Sequence, residues 1–356
     1  MRRAHVSLTR RLLVGIAAGL LGSALLGSSA LADPAGPTDY QSEIVAVEPP
    51  TATIETSIVG GDSFFQLTVD PGTEVIVVGY QGEDALWFRP DGTVWENGNS
   101  PSTYLNADRL GGASIPANAT ADAEPDWRQV ASDGNFSWHD HRAHWMQEAR
   151  PFGLGPGDQI LESVIPLVVD GGDVEVTVIS TWQPAPSPLP AAVGVVGGIT
   201  LAVAAWFLHR SRRLPALLAA APVVVVAVVV GIWQFLSLPP ETGPRAVWWV
   251  LPVIAAVSLA VGLVAGRRSA FVADAAMLLV GAELAIWGYV KRDGLSAAII
   301  PTDAPAWLDR LATAMALSGG IAFTAVALWW LFHPQVAERR VSGSREPTGS
   351  PHPAHP

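Results

Sequence analysis

Cysteine is absent from this 356-residue chain, and lysine occurs only once, at Lys291. Without cysteine the protein has no disulfide bond, no blue-copper centre, no cysteine-ligated iron–sulfur cluster and no cysteine nucleophile. The other 20 of the 21 basic residues are arginine. Together with the abundance of Ala, Val, Gly and Pro, this composition is typical of a GC-rich bacterial genome.

Basic residues of any kind are scarce between Asp33 and Pro188. Between Asp33 and Pro188 there are 24 acidic and 5 basic residues, a net charge of −19, whereas the whole chain carries −11. A surface with this charge repels nucleic acid and attracts cations. The composition therefore excludes a nucleic-acid partner, and it fits either a cation-binding domain or an ordinary solvated, exported one.

The first 32 residues have the pattern of a secretory signal peptide. Four arginines flank the start of an apolar stretch from Leu12 to Leu26, and Ala30-Leu31-Ala32 forms a small-residue cleavage site. The apolar stretch is short and interrupted by glycine and serine, so it predicts a cleaved signal rather than a membrane anchor. The mature chain is expected to begin near Asp33.

Residues 33–183 predict an extracytoplasmic, all-β domain of the sandwich type. Short runs in which apolar and polar residues alternate are separated by turn residues. The turn sequences Pro90-Asp91-Gly92 and Asp170-Gly171-Gly172-Asp173 predict two hairpins. The polar stretch Glu96–Ser132 is predicted to be a long surface loop.

Five apolar runs follow a stiff, proline-rich connector at residues 184–190, and each is long enough to cross about 30 Å of hydrocarbon. Eight basic residues follow the first, third and fifth runs, and four lie on the other side. By the positive-inside rule, the sequence predicts a multi-pass protein of the bacterial plasma membrane. Its N-terminal domain is extracytoplasmic, residues 191–333 form a five-helix bundle, and residues 334–356 are a disordered cytoplasmic tail. The runs are Leu189–Leu208, Leu214–Leu236, Ala246–Ala265, Ala270–Tyr289 and Leu311–Phe332.

Three of the eight histidines lie within the six residues from His139 to His144. On a strand, His139 and His141 project from the same face, and a turn at the following residues would bring His144 to them. Neighbouring imidazoles are common ligands of copper, zinc and nickel. We predict a metal site with these three histidines as ligands. Met146, which favours Cu(I), or Asp140, which could orient an imidazole, would assist.

Two other interpretations of the histidine cluster stay open. Histidines among aromatic side chains can pack and form hydrogen bonds without a metal, or respond to pH. Arg142 places a positive charge beside a cation site unless a carboxylate neutralises it. Histidine and arginine together could instead bind an anion.

Three polar side chains lie within the predicted spans: Gln234 in the second, and Asp274 and Glu283 in the fourth. A charged Glu283 is costly in the membrane, so we expect it to be protonated, paired within the bundle or part of an ion path. Asp274 is close enough to Arg268 to lie near the cytoplasmic interface. Nine residues turn a helix through about 900°, so Asp274 and Glu283 are expected on opposite faces. Gln234 is a candidate interhelical partner.

The segment Trp138-His139-Asp140-His141-Arg142-Ala143-His144-Trp145-Met146 resembles a motif in actinobacterial membrane proteins of unknown function. So does Asn99-Ser100-Pro101-Ser102-Thr103-Tyr104-Leu105-Asn106 upstream. The resemblance covers most of the chain and implies the same layout, but no activity. The layout is also loosely similar to bacterial copper-handling envelope proteins. Those often use an N-terminal histidine as a ligand, whereas the predicted mature chain begins Asp33-Pro34, so a copper site here depends on the internal cluster.

The sequence predicts a membrane-anchored, extracytoplasmic metal-binding protein that sequesters, delivers or senses copper, with zinc less favoured. The alternative is a non-catalytic envelope scaffold or assembly protein, whose β domain binds another protein and whose histidines are structural. The chain has no nucleophile elbow or phosphate loop, which favours a non-enzymatic role over that of a copper oxidase. The predicted partners are membrane lipid and either a metal ion or an envelope protein.

Overall fold

A computed structural model describes residues 34–147, 149–209 and 213–333 of the chain. The predicted signal peptide and cytoplasmic tail lie outside the described residues. Within them, a β-rich N-terminal domain is followed by five apolar helices long enough to cross a membrane. This confirms the predicted fold class, a β domain joined to a helical membrane bundle.

The β domain contains ten strands in two antiparallel sheets. The strands are β1 (Tyr40–Glu48), β2 (Ile54–Val59), β3 (Phe64–Val69), β4 (Val75–Val78), β5 (Asp84–Phe88), β6 (Val94–Asn97), β7 (Trp127–Ala131), β8 (Asn135–Trp138), β9 (Gln159–Val169) and β10 (Gly172–Trp182). The larger sheet has the order β1-β10-β9-β4-β5-β6-β7, and the smaller sheet has the order β2-β3-β8.

One hydrophobic layer between the two sheets holds the domain together. Phe65 and Leu67 of β3 pack in the same cluster as Phe88 of β5 and Ile165 of β9, and all four are buried. Successive residues of a strand point to opposite faces, so the alternating apolar residues of both sheets meet in this layer. Burial of these large side chains supplies the main driving force for folding the domain.

Both predicted hairpins are present. The turn between β9 and β10 has Asp170 at φ 49° and Gly171 at φ 81°, the left-handed pair that a tight type I′ hairpin requires. The prediction for Glu96–Ser132 differs from the structure, because this stretch contains the end of β6, β7 and a short helix, α1 (Pro101–Leu105). The Ser100 hydroxyl caps α1 by accepting the Ser102 N–H. A five-residue helix is too short to show a hydrophobic period.

The five candidate spans agree with the predicted ones to within a few residues at each end. They are α2 (Leu189–His209), α3 (Arg213–Leu218) together with α4 (Ala221–Leu236), α5 (Val247–Ala265), α6 (Ala270–Val290) and α7 (Ala306–Phe332). The second span is divided because Pro222, at the start of α4, has no N–H to bond the preceding turn.

The loop between α6 and α7 joins the β domain to the bundle. Thr38 and Ile299 form an antiparallel bridge, with N–H···O distances of 3.1 and 2.8 Å. Next to it, the carboxylate of Asp39 accepts the N–H of Ala298 at 3.1 Å. Arg310 of α7 donates to the carbonyl of Ala298 at 2.9 Å and so fixes this loop to the bundle.

A small apolar cluster provides a second contact between the two parts. Phe64 of β3, which is buried, packs with Leu238 and Trp248 of the bundle and with Ala35. The same Phe64 ring stacks on His139, with ring centres 4.1 Å apart. The predicted histidine cluster therefore lies at the junction of the β domain and the bundle.

Candidate functional site

The three clustered histidines lie in a turn rather than on a strand. β8 ends at Trp138, so alternation along a strand does not place His139 and His141 on a common face. Instead, the carbonyl of Asp140 accepts the N–H of Ala143 at 2.8 Å, and this turn brings His144 back toward the other two. The ring centre of His144 lies 6.0 Å from that of His139 and 5.4 Å from that of His141.

Each imidazole has one ring nitrogen against a backbone carbonyl. The pairs are Nδ1 of His139 with Ser63, Nε2 of His141 with Asp108 at 3.0 Å, and Nδ1 of His144 with Trp145 at 3.2 Å. A carbonyl oxygen only accepts, so the ring nitrogen facing it carries the proton. In the neutral ring the second nitrogen then holds a lone pair. This arrangement is the one found in metal-ligating histidines, whose other N–H is held by a carbonyl or carboxylate.

His144 has the most distinctive environment of the three. It is 1% exposed, and its Nε2 has no hydrogen-bond partner among the residues that the structure describes. Burial lowers the pKa of His144 to about 3, and the positive charge of Arg109 contributes to this shift. His144 is therefore a neutral imidazole at physiological pH, with an unpaired nitrogen in the interior.

Met146 approaches the cluster from the side of His141. A methyl group added to Gly111 would lie 3.2 Å from Cε1 of His141, 3.7 Å from its Nδ1 and 3.4 Å from Cε of Met146. Both side chains therefore end at the backbone of Gly111. The unprotonated Nδ1 edge of His141 and the thioether of Met146 share this small space, which a larger residue at position 111 would fill.

Asp140 does not face the imidazoles. Its two carboxylate oxygens bind the guanidinium of Arg142 at 2.8 Å each, and the indole N–H of Trp138 donates to it at 3.1 Å. Burial works to raise the pKa of Asp140, but the hydrogen bonds and charge of Arg142 outweigh it and hold that pKa below its usual range. The positive charge of Arg142 beside the cluster is thereby neutralised.

A segment that the sequence placed in a surface loop forms one wall of the site. Asp108 supplies the carbonyl that His141 binds, and Arg109 pairs with the buried Asp62 at 2.6 Å. Burial raises the pKa of Asp62, and the charge of Arg109 opposes this. Asn106 accepts a hydrogen bond from the hydroxyl of Tyr80. The signal that could have found these residues was the density of amide and hydroxyl side chains upstream of Arg109.

The three polar side chains of the spans do not form one site. Asp274 accepts a contact from Nε2 of His209 at 3.0 Å and has Nε of Arg213 at 3.8 Å. Glu283 and Gln234 are both buried, and one oxygen of each has no hydrogen-bond partner within the described parts of the chain. Asp274 is thus paired near a helix end, and the two deeper groups each leave a polar atom unpaired.

Within residues 34–147, 149–209 and 213–333, no three side chains drawn from His, Asp and Glu are grouped so that they could hold a metal ion. The predicted set of three histidine ligands is therefore not assembled as a trio there. His141, His144 and Met146 are a set of different composition, with two imidazoles and one thioether.

No family model, curated protein or solved structure matches this chain. The function has to be inferred from the chemistry of the site.

Proposed function

We propose that this protein binds copper as Cu(I) in an extracytoplasmic β domain anchored to the membrane, through Nδ1 of His141, Nε2 of His144 and the sulfur of Met146. The observation that carries the proposal is Nε2 of His144, a buried nitrogen on a neutral imidazole with no hydrogen-bond partner in the described chain. Buried polar atoms are normally paired, so an unpaired nitrogen on a ring whose centre lies 5.4 Å from that of His141 indicates a ligand.

The donor set favours Cu(I) over Zn²⁺. A thioether is a soft ligand that selects Cu(I), and imidazole suits copper as well. Structural zinc prefers a full tetrahedral set of nitrogen, sulfur and carboxylate ligands, and Asp140 is occupied by Arg142. His139, the third predicted ligand, stacks on Phe64 and binds the carbonyl of Ser63.

The extracytoplasmic placement of the β domain is supported by the signal-peptide pattern of the N-terminus and by the distribution of basic residues on the two sides of the spans. Of the four basic residues on the β-domain side of the bundle, Lys291 and Arg310 are buried and fully engaged, Lys291 in an ion pair with Asp309. Both charges lie in the interior of the protein, so they do not contribute free positive charge at the membrane surface. Arg245 and Arg292 are then the exposed pair among these four, against eight basic residues in the sequence of the opposite side, which supports a cytoplasmic location for that opposite end.

The position of the cluster favours sensing or delivery over storage. His139 stacks on Phe64, and Phe64 packs on Trp248 at the start of α5. Binding of a metal by the neighbouring rings would change the packing at this contact with the membrane bundle.

The test is a Cu(I) titration of the full-length protein in detergent, in competition with a chromogenic Cu(I) chelator. We expect one Cu(I) per chain, and a loss of affinity of more than about 100-fold in His141→Gln and in His144→Gln. Met146→Leu should weaken Cu(I) more than Zn²⁺. His333→Gln, which changes an exposed histidine at the end of α7, is the matched control and should bind as the parent does.

Absence of Cu(I) binding by a folded parent would leave the alternative function, an envelope scaffold or assembly protein. That alternative is favoured by the lack of a grouped trio of His, Asp and Glu in the described chain. In that case the cluster would be a hydrogen-bonded packing element, and His141→Gln and His144→Gln would lower stability without changing any metal affinity.

A further inference from the structure

Residues 150–158 form a loop at the end of the β domain where the chain enters the membrane. The N–H of Gly157 donates to the carbonyl of Trp182 at 2.7 Å, and the guanidinium of Arg150 lies 5.5 Å from the centre of the Trp182 ring. Trp182 is the last residue of β10, and α2 begins at Leu189. Both ends of the loop are therefore fixed beside the segment that leads into the bundle.

The same loop lies close to the bundle itself. Arg150 approaches Asp39 at 3.5 Å, and Asp39 accepts the N–H of Ala298 in the loop between α6 and α7. Beside the loop between α6 and α7, Tyr289 at the end of α6 is 58% exposed and Trp307 at the start of α7 is 56% exposed. Exposed Tyr and Trp at the ends of spans are typical of the membrane–water interface. The loop of residues 150–158 is thus at the level where lipid head groups are expected.

Phe152, near the tip of the loop, is exposed in full, at 103% of its reference area. Among the described residues, the other large apolar side chains that are more than 60% exposed all belong to the spans and their ends. They are Leu189, Val196, Leu236, Val264 and Phe332. The corresponding side chains elsewhere in the β domain are less exposed, with Val45 at 52%. In its exposure Phe152 resembles the surface of the bundle that faces lipid, not the surface of the β domain.

We propose that residues 150–154 contact the bilayer, with Phe152 and Leu154 inserted into the interface on the β-domain side of the membrane. The large apolar ring gains by leaving water, and the amphipathic Arg150 can keep its charge among the head groups. The loop begins four residues after Met146 in the chain, so lipid would support the edge of the β domain that carries the histidine cluster. This contact does not depend on whether the cluster binds a metal.

The absence of cysteine makes a direct test available, since one introduced cysteine labels at one position. Phe152→Cys is labelled with an environment-sensitive fluorophore and the full-length protein is placed in phosphatidylcholine nanodiscs that contain lipid with a nitroxide near the head group. Leu189→Cys at the start of α2 is the lipid-facing control. Asp173→Cys, exposed beside the β9–β10 hairpin at the opposite end of the domain, is the solvent control.

We expect the nitroxide to quench the label at position 152 about as strongly as at 189, and several-fold more than at 173. Quenching at 152 as weak as at 173 would overturn the proposal. A blue-shifted but unquenched label would also overturn it, because protein and not lipid would then cover the loop. Because the side chain of Phe152 is fully exposed, an unchanged melting temperature should show that the variant is folded.

Discussion

The β domain and the helical bundle differ in how much their interiors depend on small residues. The sandwich core consists of large side chains such as Phe65, Phe88 and Ile165. The bundle combines large buried side chains such as Trp287 and Phe323 with many alanines, and its helices also meet at glycines: a methyl group added to Gly198 of α2 would lie 2.5 Å from the carbonyl of Met315 in α7. In water, large apolar side chains stabilise by leaving the solvent. In lipid the surroundings are as apolar as the interior, so close contact between helices takes over.

The two regions also differ in how they bury polar groups. In the β domain, the buried carboxylates of Asp62 and Asp140 are each paired with an arginine at hydrogen-bond distance. In the spans, Glu283 and Gln234 each have an oxygen with no hydrogen-bond partner among the described residues. One oxygen of Asp62 is also unpaired among the described residues, but Arg109 supplies the opposite charge. The described part of the bundle has a buried ion pair as well, Lys291 with Asp309, whereas the deeper Glu283 has no basic partner there.

Removing the Asp140 carboxylate should have the largest effect. In Asp140→Ala the partly buried Arg142 loses its carboxylate partner, and we expect a loss of about 3–5 kcal/mol in the free energy of unfolding. The matched control is Asp126→Ala, which removes the exposed partner of Arg128 and should cost less than about 1 kcal/mol. Thermal and denaturant unfolding of the purified protein measures both. Equal losses in the two variants would contradict an architectural role for the buried pair.

Acidification should destabilise the β domain through His144. The folded pKa of about 3 lies below the usual value of 6.5, so the unfolded state takes up the proton first as the pH falls. The stability that follows from this pKa difference is fully present above pH 6.5 and decreases progressively down to pH 3. At pH 4.5 the free energy of unfolding should be lower by about 2–3 kcal/mol. Melting temperatures of the chelator-treated protein between pH 7.5 and 4.5 test this.

His144→Gln should remove this part of the acid sensitivity, and His333→Gln should retain it. Burial raises the pKa values of Asp62 and Glu96, so these groups stabilise the fold on acidification and act in the opposite direction. The comparison between parent and variant cancels their effect. If the melting temperatures of the parent and of His144→Gln change equally with pH, His144 is accessible to protons in the folded state.

The smallest effect should come from a single methyl group in the bundle. Gly198→Ala forces α2 away from the backbone of α7, and we expect a loss of about 1–3 kcal/mol. Gly197→Ala is the adjacent control, because its added methyl would meet only the sulfur of Met315 at an ordinary 3.7 Å. Melting temperatures in detergent distinguish the two variants. Similar behaviour would mean that close approach of these helices contributes little to the stability of the bundle.

The fold was largely predictable because its signals are local. The thickness of the hydrocarbon sets the length of each span, and Asp170-Gly171 can only be accommodated in a tight turn. The short helix α1 was missed because five residues carry no period, and its cap at Ser100 was indistinguishable from a loop residue.

The candidate site was only partly predictable. The sequence identified His139, His141, His144 and Met146, but not the contacts of the histidines with the carbonyls of Ser63 and Asp108, which lie far away in the chain. The orientation of each ring depends on these long-range contacts. No local sequence pattern predicts that Asp140 pairs with Arg142 and not with an imidazole. Binding of a metal by these residues stays a prediction.

The bridge between Thr38 and Ile299 has a consequence for how the protein is made. Asp39 and Ala298, beside it, are 259 positions apart in the chain. The β domain emerges first and can meet Leu238 and Trp248 early, but its bridge to Ile299 can form only after the helix α6 has been synthesised, and Arg310 of α7 is needed to fix that loop. During synthesis the β domain is therefore linked to the membrane by its proline-rich connector before this bridge can form. Complete docking onto the bundle is the final step of assembly.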